Sequence, residues 1–326
     1  MSSSPFAVPG EAFGAAQREA APAKINLFLH VVGRRESGHH LLDSLVVFTD
    51  VGDALAADPP SPEQPEALTL DIDGPFGAAL ATEAGDDNLV LRAARRLQKE
   101  AGVERGARLR LLKRLPLASG IGGGSADAAA ALRALARLWG IDLPRARFDE
   151  IALSIGADVP ACFASRPSRV TGIGERLTPM LLPEMGVLIA NPGKPLATAR
   201  VFDAFARAHQ AGGVPYRRPL PMIPAFADVA TFAEWLDEAT DNDLTEAAAT
   251  LEPAVAETLI ALSEVPEALC VRMSGSGATC FALFAHSAAA AAGARWLSDR
   301  RPQWWIAATA TIPGLDQPLP GEVEPD

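Results

Sequence analysis

The sequence predicts an α+β protein of two lobes. Strand and helix patterns follow the order strands–helix–strand–loop–helix, then strand–helix–strand, with no internal repeat. A glycine-rich loop joins a strand to a helix in the first half. After Phe163 the style changes, and Arg166-Pro167 opens a linker. The chain has 326 residues, 48% of them hydrophobic and 21% charged, enough for two ordinary domains with sizeable cores. The expected division is a mobile tail at 1–20, a first domain at 21–165, a second at 166–312 and a tail at 313–326. The cleft between the lobes is the natural ligand site.

Each element has its own local warrant. Residues 1–20 are rich in Ser, Ala and Gly without a period, which suits a tail. Residues 23–32 alternate as a strand does, and 43–48 give a second. A proline-rich loop at 59–66 precedes a strand at 67–72. Residues 88–101 form an amphipathic helix with Leu89, Ala93, Ala94 and Leu97 on one face. A strand at 107–112 leads to the glycine loop and a helix at 126–139, which Gly140 ends. Residues 148–155 make a short helix closed by Gly156. Residues 170–174 read as a turn, 186–190 as a buried strand, 199–208 as a helix and 211–224 as a Gly- and Pro-rich loop. Helical patterns follow at 232–238 and 244–251, with Asp243 and Glu246 spaced as a capping box. Strands at 269–273 and 280–284 flank a second small-residue loop. Four prolines and several acids make 313–326 a poorly ordered end.

The first glycine loop carries the chemistry. Gly120, Gly122, Gly123 and Gly124 precede Ser125, Asp127 and the helix. The first N–H groups of a helix lack internal partners and carry partial positive charge. Glycine lets backbone approach a bulky anion, so the unit makes a phosphate cradle. It is not a P-loop, because no lysine precedes Ser125, and it is not a dinucleotide fingerprint, because position 125 is serine. A turn that only caps the helix would need one glycine, not four.

Composition excludes several classes. The net charge of −11 disfavours a dedicated nucleic-acid binder. Arg92, Arg95, Arg96, Lys99, Arg105, Arg108, Arg110, Lys113 and Arg114 form a local basic run, either solvated faces or a field beside a polyanion site. Cys162, Cys270 and Cys280 lack metal-ligand spacing and suit a reducing compartment. No signal segment or membrane-length apolar run is present, so a cytoplasmic protein without membrane partners is expected. His39 and His40 have no acid or cysteine at zinc spacing, and no resident metal site is expected. No Gly-x-Ser-x-Gly elbow occurs.

Two charged residues could work beside the cradle. Lys24 and Asn26 share one face of the first strand, with Phe28 next on that face. An exposed edge lysine is the plainer alternative. Asp158, after a helix end and before Pro160, either organises a turn or takes a proton from an alcohol. A phosphate cradle, one cation and one base suit phosphoryl transfer. The Gly275-Ser276-Gly277 loop is explained equally well as a hairpin turn.

Together these motifs resemble the GHMP small-molecule kinases. Pro22-Ala23-Lys24-Ile25-Asn26-Leu27, the loop at 116–126 and Gly275-Ser276-Gly277 match the family's three motifs. Gly38-His39-His40-Leu41, Val51-Gly52-Asp53, Asp87-Asn88-Leu89-Val90, Gly156-Ala157-Asp158-Val159-Pro160 and Asn242-Asp243-Leu244 resemble the branch acting on a cytidine-diphosphate-linked methylerythritol. The resemblance implies a ribosomal-S5-like N-terminal lobe and a ferredoxin-like C-terminal lobe. It implies ATP, Mg2+ and transfer of the γ-phosphoryl group to the substrate's 2-hydroxyl.

By the same resemblance, Asp158 is the base and Lys24 stabilises charge and orients the hydroxyl oxygen. Asn26, His40, Thr198 and Phe202 contact the substrate, with His40 and Phe202 at the cytosine. Asn88, Lys113 and the segment Pro116-Leu117-Ala118-Ser119-Gly120-Ile121-Gly122-Gly123-Gly124-Ser125-Ala126 hold the nucleotide. Two positions depart from the pattern: His39 stands where a tyrosine is usual, and Ala126 where a second serine is common. Rival readings are a kinase of this superfamily acting on mevalonate, homoserine or a sugar, and a non-catalytic nucleotide-binding regulator.

Overall fold

The computed structural model describes residues 16–84, 88–315 and 319–321. Residues 1–15, 85–87, 316–318 and 322–326 lie outside the described residues, with Asp87 of the expected motif and the parts of the expected tails they carry. In chain order the first half holds β1 (Gln17–Arg34), β2 (His40–Asp58), β3 (Leu68–Asp73), α1 (Gly77–Ala84), α2 (Leu89–Ala101), β4 (Ala107–Leu112), α3 (Gly123–Trp139), α4 (Arg145–Ile155) and α5 (Val159–Ala164). There follow β5 (Ser168–Gly172), β6 (Arg176–Pro179), β7 (Gly186–Asn191), α6 (Thr198–Gln210), α7 (Val229–Ala239), α8 (Thr245–Leu251), α9 (Ala254–Ser263), β8 (Cys270–Met273), β9 (Cys280–Phe284), α10 (Ser287–Arg300) and β10 (Trp305–Ile312).

The strands form one continuous sheet in the order β3-β4-β2-β10-β7-β9-β8. β1 runs antiparallel along one edge of β2, from Arg34 opposite His40 to Gln17 opposite Ala57. The other edge of β2 is shared. β5 pairs with Leu42–Val46, β10 with Phe48 and Thr49, and β4 with Ala54–Asp58. β6 continues outward from β5. The strands just after residue 166 therefore build on the first half's sheet.

β1 passes through three cores because its register shifts. Ala21 joins the core of α2, α3, α4 and α5 against β2 and β4. Ala23, Ile25, Leu27 and Phe28 join a core with β7 and α7. Leu29 and Val31 join the core of α6, α8, α9 and α10. Alternation alone puts Phe28 beside Lys24 and Asn26, but a register shift between Asn26 and Phe28 turns the ring into the second of these cores.

Three further expectations give way to non-local partners. Residues 17–20 are strand rather than tail: they pair with Ala54–Ala57, and Glu19 is buried against Arg133 on α3. The expected turn at 170–174 is largely β5, because Val170 and Thr171 find partners in Ser44 and Asp43. The capping box at Asp243 does not form. Its Oδ2 accepts the Val31 N–H at 2.8 Å and its Oδ1 takes Arg217, while Asn242 Oδ1 accepts the Leu244 N–H at 3.0 Å.

Candidate active site

The glycine loop lies where α3 begins. Gly122 is the N-cap residue, at φ 68°, and α3 starts at Gly123, three residues before the periodicity suggested. The N–H groups of Gly123, Gly124 and Ser125 lack helical partners by geometry, since the first closed turn is Ala126 N–H to Gly122 O at 2.8 Å. Strand and loop contacts hold this cradle open. Ile121 O accepts from Lys24 N–H at 3.0 Å, Ala118 O from Leu196 N–H at 3.3 Å and Ser119 O from Thr279 N–H at 3.2 Å.

The second small-residue loop is the hairpin turn between β8 and β9, and it also clamps the first. The Ser274 hydroxyl donates to Gly120 O at 3.1 Å. A Cβ on Gly120, at φ 76°, would lie 2.5 Å from Ser274 O and 2.7 Å from Gly277 O. Only glycine allows that approach. Gly123 is different, because its backbone is helical and a Cβ there would meet the Lys113 ammonium at 3.0 Å.

That ammonium anchors the loop from beneath. Lys113 is 1% exposed and lies between Asp53 and Asp127, its Nζ 2.7 Å from Asp127 Oδ2. Asp53 Oδ1 accepts the Leu115 N–H at 2.9 Å and the Arg114 N–H at 2.5 Å. The triad thus joins β2, the loop's entry and the first turns of α3. Burial opposes the charge on Lys113, but the Asp127 and Asp53 carboxylates outweigh it and hold its pKa above the ordinary value. Burial pushes Asp127 up to about 8, with Lys113 opposing and Asp53 reinforcing the shift.

The expected catalytic pair meets across 134 residues. Lys24 Nζ lies 2.5 Å from Asp158 Oδ1, with the lysine side chain 5% exposed and the aspartate 50%. Asp158 is the N-cap residue of α5, yet its side chain caps nothing, so it is not spent on the turn. Asn26 is buried beside them. Its Nδ2 donates to Ser44 Oγ at 2.8 Å, its N–H to Ser274 Oγ at 3.2 Å, and its Oδ1 has no partner. Cys162 Sγ lies behind the pair, and burial pushes its thiol up to about 12.

A cavity of about 680 Å3 joins these groups. Lys24, Asn26, Asp158, His40, Thr198 and Phe202 line it, as do Pro116, Leu117, Ala118, Ser119, Gly120, Gly122, Gly123, Gly124 and Ser125. His40 and Phe202 stack at 5.1 Å between centroids, too close to admit a third ring. They therefore offer the outer face of a pair. Burial and the nearby Arg34 lower the His40 pKa, which favours a neutral ring. Thr198 Oγ1 meets Ser276 Oγ at 2.9 Å.

Four of the residues expected at the nucleotide have structural roles. Asn88 Oδ1 caps α2 by accepting the Val90 N–H at 2.8 Å, and the next residue, Leu89, lines the cavity. Ile121 and Ala126 are core residues, 0% and 1% exposed. Lys113 borders the cavity, but both buried carboxylates hold its ammonium. Sequence reading missed Ser44, Ser274 and the bridging of Asp53. Only Asp53 lay in a noted motif. Three members of the basic run pair with acids: Arg96 with Glu100 at 3.0 Å, Arg110 with Asp58 at 2.5 Å and Arg108 with Asp71 at 4.0 Å.

A glycine loop at the start of a helix, a lysine–aspartate pair on the same cavity and a sheet shared by both halves of the chain define a small-molecule kinase of the GHMP class. Residues 88–166 match the family described as GHMP kinases N terminal domain, and 222–300 match GHMP kinases C terminal. A 4-diphosphocytidyl-2-C-methyl-D-erythritol kinase of Cereibacter sphaeroides is 51% identical over 292 residues, 88% of this chain and 96% of that protein. One of Paramagnetospirillum magneticum is 48% identical over 288 residues, 88% of this chain and 95% of that protein. A crystal structure of 4-(cytidine 5'-diphospho)-2C-methyl-D-erythritol kinase superposes with a TM-score of 0.69 at 31% identity, covering 90% of this chain and 99% of that one. A homoserine kinase from Cytophaga hutchinsonii shares the fold, with a TM-score of 0.64 at 18% identity, over 97% of this chain and 99% of its own. The chain belongs to the 4-diphosphocytidyl-2-C-methyl-D-erythritol kinase family, a branch of the GHMP kinases.

Proposed function

We propose that this enzyme transfers the γ-phosphoryl group of ATP to the 2-hydroxyl of 4-diphosphocytidyl-2-C-methyl-D-erythritol. The observation that carries the chemistry is the Lys24–Asp158 pair, 2.5 Å apart, opening on the same cavity as the glycine loop. Lys24 takes Asp158 Oδ1, which leaves Oδ2 to accept the hydroxyl proton. The hydroxyl oxygen then forms its bond to the γ-phosphorus as the bond to the bridging oxygen breaks and ADP leaves. Lys24 steadies the negative charge that gathers on the attacking and transferring oxygens. The loop N–H groups hold the phosphates in line, and most of the catalysis is positioning and electrostatics.

The bare backbone of the loop fits a triphosphate. A Cβ on Gly122 would sit 3.3 Å from the Lys24 side chain and narrow the gap between cradle and pair. Among the described residues no group of three or more His, Cys, Asp or Glu is poised to hold a metal. Magnesium would therefore be held mainly by phosphate oxygens, with the Ser125 hydroxyl as a protein ligand. Bound there, it would neutralise charge shared by the β- and γ-phosphates.

No helix among the described residues is long and apolar enough to cross a membrane. The three cysteines are free and buried, which suits a reducing cytoplasm.

The stacked His40 and Phe202 support a cytosine-bearing substrate over a small polyol or amino alcohol, which needs no aromatic platform. The test is ADP release from ATP with the cytidylyl substrate, homoserine and mevalonate side by side. Turnover with homoserine or mevalonate alone would replace this reading. The platform has its own expected result. Base stacking is worth ~1–3 kcal/mol, so Phe202→Ala should weaken cytidylyl-substrate binding roughly tenfold or more. ATP affinity should hold, and turnover at saturation should fall much less. Titration calorimetry with each ligand measures both. A large loss of turnover at unchanged substrate affinity would make Phe202 a packing residue of the α6 core.

A further inference from the structure

A buried arginine outside the reacting groups touches both elements that supply the catalytic pair. Arg133 lies on α3, among alanines and leucines, and is 0% exposed. Its Nη2 donates to Ala20 O at 2.6 Å, on β1, four residues before Lys24. Its Nη1 donates to Cys162 O at 3.0 Å and Phe163 O at 3.3 Å, near the end of α5, the helix that Asp158 opens. Its Nε donates to Glu19 Oε2 at 2.8 Å, and Arg137 shares that carboxylate. The helix that carries Arg133 begins at the phosphate loop.

Replacing a whole buried ion pair by apolar side chains of similar volume is often neutral or stabilising, although removing one partner alone is costly. Stability by itself therefore does not explain a charged pair at this position. Geometry does. The fixed fork of a guanidinium binds several acceptors at set angles. Here it ties the carbonyls of β1 and α5 to one point on α3. Last-turn carbonyls of a helix lack helical partners, and the fork shares the Cys162 carbonyl of α5 with the Ser165 hydroxyl, which donates to it at 2.5 Å. Burial lowers the Arg133 pKa to about 10, which leaves it charged at neutral pH.

We infer that Arg133 is a positioning residue for phosphoryl transfer, holding Lys24, Asp158 and the phosphate loop in common register. It touches no substrate. This rests on the reading of Lys24 and Asp158 as the transfer pair.

The test is a double-mutant cycle with Arg133→Met and Arg133→Lys, each made alone and with Asp158→Asn. Folding is checked by circular dichroism, and the competent fraction by the stoichiometry of ATP binding. A misplacement of the pair by about an ångström costs up to 10²-fold, so Arg133→Met should lower kcat roughly tenfold to a hundredfold. KM for ATP and for the alcohol should change little. Arg133→Lys keeps the charge and one or two of the bonds, and should recover part of the loss. With Asp158→Asn already present, either change should alter residual turnover by no more than about twofold, because the pair it serves is gone. If Arg133→Met does not fold, the lysine variant decides the matter alone. The same fold-loss repeated in the Asp158→Asn background would overturn the inference, as would raised KM values with kcat intact. Wild-type turnover in Asp158→Asn itself would instead overturn the proposed function.

Discussion

Asp158→Asn is expected to lower turnover by about 10²–10⁴-fold, the usual cost of losing a general base. ATP binding should persist. The carboxylate stands at the start of α5, half-exposed to the cavity, and makes no cap or turn bond whose loss would disturb the fold. An amide of the same shape keeps the packing but cannot take the hydroxyl proton. Lys24 would lose its ion-pair partner while remaining 4% exposed. Single-turnover measurement at saturating ATP and alcohol isolates the transfer step. Turnover equal to wild type would remove Asp158 from the role of base.

Lys113→Met should destabilise the fold by about 3–5 kcal/mol, the range for removing one partner of a buried ion pair. Methionine fills the space but leaves Asp53 and Asp127 facing each other, both within 1% of full burial. The effect should depend on pH. Burial lifts Asp127 from its ordinary 3.8 to about 8, so over that interval the native state holds a proton that the unfolded chain has released. Stability linked to that proton is fully present below 3.8 and is lost as pH rises through about 8. Without Lys113 the carboxyl groups resist ionisation more strongly, so the variant should lose more stability at pH 8 than at pH 5. Urea unfolding at the two pH values measures this. An equal loss at both would mean that the ammonium contributes by packing and not by charge.

The sequence made the cradle legible because its signals are local. Four glycines in five positions, after a strand and before an alanine-rich helix, need no distant partner to be understood. The Lys24–Asp158 contact spans 134 residues, and no local signal shows that the two side chains meet. Periodicity cannot see a register shift, so Phe28 was expected on the catalytic face and is found in a core. Nor can it see buried ion pairing. Lys113 matched a nucleotide contact but is occupied by carboxylates that arrive from β2 and α3. Glu19 belonged to an apparent tail until Arg133, 114 residues on, gave it a partner. Asn88 is another kind of case. Its helix cap is a local signal carried by the same residue that the family motif implies at the nucleotide.

The central strand of the sheet is β10, which follows every other described strand in the chain. It joins β2 on one side and β7 on the other, and Met185 N–H donates to its Thr311 hydroxyl at 3.0 Å. On the ribosome, the stretches that become β2 and β7 emerge long before residues 305–312. Until those residues appear, two half-sheets each present an open edge. Such edges are where nascent chains mispair or are met by chaperones. The two half-sheets thus join edge to edge through β10 only once residues 305–312 have been made.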